Sequence, residues 1–499
     1  VNDKQKIIYE IVTDNTLTYR QKKHLLASQA ENILDYPQIQ EKTKEYYSKK
    51  ILCDLYEGHA PYRSRYILPD YELLFEKGSK FLNLSPPEDL FEAIQTLLIM
   101  YTNVPSITGQ PVFLGEIDKL LTPYVKEMDI DSVYKMIKWF LISIDRMIAD
   151  GFAHMNIGPE DTLVGRLILK AERELKQGVP NISFKFDENL TEDNYLIEGV
   201  RTALTTGKPH FHNNKMICEQ VGNYGVVSCY NSLKIGGGSH TLIRINLLRL
   251  AKEAINLDDF LNNKLKEIAK ASVDMANARA KFLVEDVKFY ENDFLAEEGF
   301  IDLEKFTSMV GIFGLAETAN MFSNGKYGVD SNTTDLGLKI VDTLNNYLLN
   351  EDGLYCEGSG GKVVFHSQSG ISEDVEETAG TRIPIGDEPP LFNHLRAVIP
   401  FHKYFTSGVS DIFIFDKTVR DNPQSMADII KGSMKRGLRT FTVNVGDSDL
   451  IRITGYMIKR TDLDNYRKGI KNKDSSANLG AEAVDNQRIL ERKIRIADE

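Results

Sequence analysis

From about Lys208 onward the chain alternates short β-rich runs with longer helical stretches, and few architectures accept that pattern. The runs are "YGVVSCYN" (Tyr224 to Asn231), "KVVFHSQ" (Lys362 to Gln368), "DIFIFD" (Asp411 to Asp416) and "RTFTVNV" (Arg439 to Val445). Helical stretches such as Ile243 to Ile255 and Leu261 to Asn277 separate them. Nearly continuous apolar strands between helices predict a sheet covered on both faces, hence an α/β layout or barrel. Roughly the first 180 residues are expected to be helical. "DLFEAIQTLLIM" (Asp89 to Met100) and Ser132 to Asp150 repeat apolar residues at the helical period, and Ser85 or Asp89 supplies a start signal. In the second of these, Lys135, Lys138, Asp145 and Arg146 fall on one side, so it is expected to be a core helix and not a membrane span.

No Pro/Ser/Gly linker divides the 499 residues. Residues 1–440 and the C-terminal segment 441–499 are therefore expected to form one folding unit, with the polar stretch after Lys471 along its surface. A net charge of −12 argues against nucleic-acid and anionic-membrane partners, both of which need a cationic footprint. Four cysteines without a CxxC pair predict neither a disulfide framework nor a four-thiolate zinc site, and they suit a reducing cytoplasm. No secretory signal pattern opens the chain.

One apolar segment contains a residue that weakens strands. In "DLIRITGYM" (Asp449 to Met457), Gly455 supplies no side chain to pack and costs conformational entropy. On average composition R-x-x-G-Y arises by chance in about one chain in twenty of this length, so its surroundings must carry the argument. They are a buried strand, a short loop, and then the motif, followed by charged "KRTDLDNYRKG". This segment resembles the C-terminal radical loop of glycyl radical enzymes, Arg-Val-x-Gly-Tyr, with Arg452 and Tyr456 matching and Ile453 in place of valine. Chemistry explains the glycine. A backbone α-carbon radical is delocalised into its flanking amides only if the carbon flattens, and a β-carbon would clash in the planar form. Cys229, in "YGVVSCYNSLKIGGGSH", stands where the family's thiyl cysteine belongs. Cys53 is expected to be a buried hydrophobe in the helical region, while Cys218 and Cys356 are candidates for a second thiol.

The resemblance extends to "GGGSHTLIRINLLRLAKEA" (Gly236 to Ala254) and "DNPQSMADIIKGSMKRGLRTFTVNV" (Asp421 to Val445), which are similar to segments of anaerobic ribonucleotide reductases. Taken together, "SCYNSL" and "RITGYMIKR" most resemble the YjjI-type glycyl radical enzymes. That resemblance implies a ten-stranded α/β barrel with surrounding helices, inside which the cysteine and glycine loops meet. It also implies a homodimer, no bound cofactor or metal, and a radical on Gly455 installed by an iron–sulfur, S-adenosylmethionine-dependent activating enzyme. Known chemistries each lack a part here. The eliminases carry Cys-x-Glu, whereas Tyr230 and Asn231 follow Cys229. Pyruvate formate-lyase needs two adjacent cysteines, and Ser228 occupies the neighbouring position. Ribonucleotide reductase carries a C-terminal zinc site, and no cysteine follows Cys356. A reductase-like enzyme and a non-catalytic glycyl radical protein remain the alternatives to hydrogen abstraction from a small polar organic substrate.

Candidate substrate contacts are His210 and His212, two apart on one strand face, Asn231 beside the cysteine, and His366 with Gln368 on another strand. His240 follows three glycines expected to make a tight turn near the cysteine loop. Glu388 in "GDEPP" is a candidate carboxylate.

Overall fold

The computed structural model describes residues 3–31, 33–55, 61–104, 111–148, 151–228, 230–367, 377–452 and 457–470. Fifteen strands occur among them. They are β1 (Leu52–Asp54), β2 (Tyr66–Leu68), β3 (Pro111–Glu116), β4 (Phe152–Ile157), β5 (Asn181–Phe186), β6 (His210–Asn213), β7 (Tyr224–Val227) and β8 (Asn231–Lys234). The others are β9 (Gly237–Asn246), β10 (Phe306–Phe313), β11 (Val364–His366), β12 (Asp411–Phe415), β13 (Thr440–Val445), β14 (Leu450–Arg452) and β15 (Met457–Lys459). The expected α/β layout is observed, organised as two sheets. One has the order β1-β9-β10-β11 with β2 also paired to β9, and the other the order β12-β13-β6-β5-β4-β3. A parallel bridge between His366 and Gly408 links the end of β11 to the segment that leads into β12. Two hairpins, β7–β8 and β14–β15, stand apart from both sheets.

Helices cover the strands, and a continuous apolar cluster runs from Tyr46 to Val445. Helix Leu90–Asn103 begins where Asp89 accepts a hydrogen bond from the Glu92 N–H, so Asp89 and not Ser85 is the cap. Helix Ile130–Met147 is capped by Asp129 in the same way, and its apolar stripe buries Val133, Ile137, Leu141 and Ile144. Asp145, expected among solvent charges, is instead buried. Among the described residues, no helix is long and apolar enough to cross a membrane.

Two expectations are corrected. β1 to β4 all fall within the first 180 residues, and Cys53 lies on β1, half-buried and paired with Arg244, not on a helix. The stretch from Ile243 begins as the end of β9; its helix is only Leu247–Ala251, started where Asn246 accepts from the Arg249 N–H. β-branched Ile243 and Ile245 suit a strand buried on both faces, and that burial outweighs the helical pattern of the leucines that follow.

Candidate active site

β4, β5, β6 and β13 alternate polar and apolar residues although nearly every one of them is buried. Met155, Ile182, Phe184, Phe211 and Phe441 occupy one face and belong to the main apolar cluster. The strand register puts His154 beside Asn181, Ser183 beside His210, Lys185 beside His212, and His212 beside Thr440. The sheet therefore has a second, polar face that is shut away from solvent.

Both hairpins rest on that polar face. Asn156 holds β7 by accepting from Val226 N at 2.8 Å and donating to Val226 O at 2.9 Å. Lys185 Nζ donates to Tyr224 O at 2.7 Å while paired with Glu116 at 2.7 Å. Asn444 holds β14 in the same fashion. Its side chain accepts from Arg452 N at 2.9 Å and donates to Arg452 O at 3.0 Å. Side-chain amides thus stand in for a neighbouring strand, satisfying backbone groups that have no water to turn to.

The last pair of β7–β8 is Val227 with Asn231, and that of β14–β15 is Arg452 with Met457. Ser228 and Tyr230, on either side of position 229 in the chain, take left-handed backbone angles of φ 56° and 67°. Non-glycine residues pay roughly 1–2 kcal/mol each for that conformation, and such strain persists only where surrounding structure holds it. Tyr230 N donates to Ser228 O at 2.9 Å. The fully buried Arg452 lays its guanidinium over the Tyr230 ring at 5.7 Å, and donates to Gly207 O at 3.3 Å and Asn181 Oδ1 at 3.5 Å. The residue after position 229 thus touches the residue three before position 455. Cys229, Gly455, Tyr456 and Gln368 themselves lie outside the described residues.

His210 and His212 lie beside this contact, with ring centroids 5.0 and 6.4 Å from that of Tyr230. His154, on β4, was not among the residues singled out from the sequence. Burial holds all three imidazoles well below their ordinary pKa. Arg452 adds to this for His154 and His210, and Arg439 for His212, so the rings are neutral. Among the described residues, no group of three His, Cys, Asp or Glu side chains could hold a metal ion.

The other candidates divide. Asn231 donates to Val227 O at 3.1 Å and braces the hairpin tip. His366 approaches from the other sheet. A Cβ on Gly408 would sit 2.4 Å from Tyr230 O and 3.0 Å from His366 Nδ1, so the absent side chain lets the two draw close. His240 is a satisfied core histidine. Its Nε2 pairs with Tyr355 O at 2.8 Å and its Nδ1 with Tyr290 Oη at 2.6 Å, and burial takes its pKa down to about 4. Of its glycines, Gly236 makes the expected tight turn, at φ 75° between β8 and β9, while Gly237 and Gly238 lie on β9, where a Cβ would strike the backbone of Lys305 and Tyr66. Glu388 closes its own turn by accepting from Gly386 N at 2.7 Å. Cys218 is exposed on helix Asn214–Val221, and Cys356 is buried, its thiol pushed up to about 11 by desolvation.

Sequence and structure comparisons bear on this arrangement. A family described as "Glycyl radical enzyme YjjI-like" matches residues 17–495. Protein YjjI of Escherichia coli (strain K12) is 40% identical over 504 residues, covering 99% of this chain and 97% of that protein. The anaerobic ribonucleotide reductase of Thermotoga maritima, solved with dATP and CTP, superposes with a TM-score of 0.72 at 12% identity, covering 94% of each chain. The B12-independent glycerol dehydratase of Clostridium butyricum, in its glycerol-bound form, gives 0.65 at 12% identity, covering 98% of this chain and 77% of that one. At such identity the two structures speak for the fold alone.

Proposed function

Because this chain belongs to the YjjI-like family of glycyl radical enzymes, we propose that Gly455 stores its radical and Cys229 puts that radical to use. The observation that carries this reading is the contact of Arg452 with Tyr230, which joins the hairpins on which the two positions are threaded. Enzymes of this family receive their radical from a separate activating enzyme. Here the activase is an iron–sulfur, S-adenosylmethionine-dependent protein that removes one hydrogen atom from Gly455. The glycyl radical then takes hydrogen from the Cys229 thiol. The resulting thiyl abstracts hydrogen from a carbon of a small polar organic substrate, and after rearrangement or cleavage Cys229 returns hydrogen to the product. The burial of the polar face serves this chemistry by keeping water and other hydrogen donors from the intermediates. The working enzyme is a cytoplasmic homodimer.

The test is electron paramagnetic resonance after anaerobic activation. Wild-type protein gives a doublet dominated by one α-hydrogen coupling, and Gly455→Ala gives none. A doublet that survives in Gly455→Ala would sink the assignment.

A further inference from the structure

On the buried sheet face Asn156, Asn181, Lys185 and Asn444 hold the hairpins, and four other side chains carry atoms left unpaired. Both ring nitrogens of His154 and of His210, Nε2 of His212 and Oγ of Ser183 have no hydrogen-bond partner among the described residues. All four residues are essentially inaccessible to water, at 1% exposure or less. Leaving a buried donor or acceptor unpaired is costly, and native structures keep few such groups without a reason. These four are also neighbours. Ser183 pairs with His210, which lies two residues before His212, and His154 is on the next strand, opposite Asn181. Adjacent strands are about 4.8 Å apart, so His154 and His210 stand on either side of β5, His154 level with Asn181 and His210 level with Ser183 two residues further along. His210 is also the ring against Tyr230, next to position 229.

Resting on the radical reading above, we infer that His154, Ser183, His210 and His212 form the substrate's docking face, and that the substrate is a small uncharged polyhydroxy compound. The inventory of atoms sets the class. A neutral imidazole offers one donor and one acceptor, and a serine hydroxyl offers both. A carboxylate or phosphate brings only acceptors and would leave the acceptor nitrogens of His154 and His210 unpaired. An ammonium brings only donors and fails in the opposite sense. Hydroxyl groups give and accept at one atom, so vicinal hydroxyls satisfy the whole set. Nearby cations spend donors on the protein itself: Arg452 on Gly207 O and Asn181 Oδ1, Arg439 on Gln220 Oε1 and Thr406 O, and Lys185 on Glu116.

The test uses full-length protein without activation, so it needs no radical. Calorimetric titration with glycerol, erythritol and xylitol is compared with glycerate and glycerol 3-phosphate, in wild type and in His154→Phe, His210→Phe and Ser183→Ala. At least one neutral polyol is expected to bind saturably to wild type, and each variant to weaken it by about tenfold or more. Ser183→Ala removes a single oxygen and keeps the test valid if a phenylalanine disturbs folding. No saturable polyol binding, equal binding in all variants, or preference for the anions overturns the inference. A glycyl doublet without polyol binding defeats this inference alone, and polyol binding without a doublet defeats the radical assignment alone.

Discussion

Asn444→Leu should loosen the glycine-side hairpin while leaving the sheets intact. Asn444 is nearly buried, Arg452 completely so, and the amide of Asn444 satisfies both the N–H and the C=O of Arg452. Leucine fills a similar volume but cannot pair with either group. Each buried backbone group left unpaired costs about 1–3 kcal/mol, so the pair is worth roughly 2–5 kcal/mol after some relaxation. By the tenfold-per-1.4 kcal/mol relation this raises the local opening constant by about 30-fold to several thousand-fold. Hydrogen exchange with mass spectrometry reads the change directly. Peptides spanning β14 and β15 should lose protection by that factor, while peptides from β4 and β5 keep theirs. Unchanged exchange around Arg452 would refute the idea that the amide clamp holds the hairpin. An equal rise everywhere would show that the residue supports the global fold instead.

Three further outcomes follow from the same geometry. Gly207 has φ 72° and its added Cβ would lie 2.7 Å from the flexible end of Met457, so Gly207→Ala should cost about 1–2 kcal/mol, read as a fall in melting temperature; no fall would mean the backbone there relaxes freely. Arg452→Lys loses the planar fork that bonds Gly207 while covering Tyr230, and should raise exchange in both hairpins together; a rise confined to β14–β15 would deny the inter-hairpin contact. His24, His154, His210, His212, His240 and His402 all have folded pKa values below the ordinary 6.5, so their stabilisation is present above pH 6.5 and is lost as pH falls through the folded values, about 4 for His240 and about 3 for His402. Asp118 and Glu172, raised by burial to about 7, act in the opposite sense over that window. The histidines outnumber these two carboxyls, so unfolding takes up protons on balance below pH 6.5 and melting temperature should drop on acidification; a flat profile from pH 7 to pH 5 would contradict this.

What the sequence made legible and what it hid have a common cause. β12 and β13 were readable because their apolar residues lie in short β-branched and aromatic runs, and Asp89 because a cap is a local event. The motif around Gly455 stood out because the chemistry proposed for it demands particular letters. β4 ("FAHMNI") and β5 ("NISFKF") were missed because their alternate polar residues resemble a solvent face, whereas that face is buried under the hairpins. His154, Ser183 and Asn444 were overlooked for the same reason. The available signal was period-two alternation repeated in four strands, which a search for continuous apolar runs passes over. His240 misled in the other direction, since proximity to the cysteine along the chain is no guide to which sheet a residue joins.

The central claim is that hydrogen moves between positions 455 and 229, and deuterium washout of the glycyl signal tests it most directly. Activated wild-type protein transferred to deuterium oxide should see its doublet collapse as the Gly455 α-hydrogen is exchanged through the Cys229 thiol. Cys229→Ser, whose O–H bond is too strong to exchange, should build the same doublet and keep it. Collapse at the wild-type rate in Cys229→Ser would contradict the account and move the exchange to another thiol.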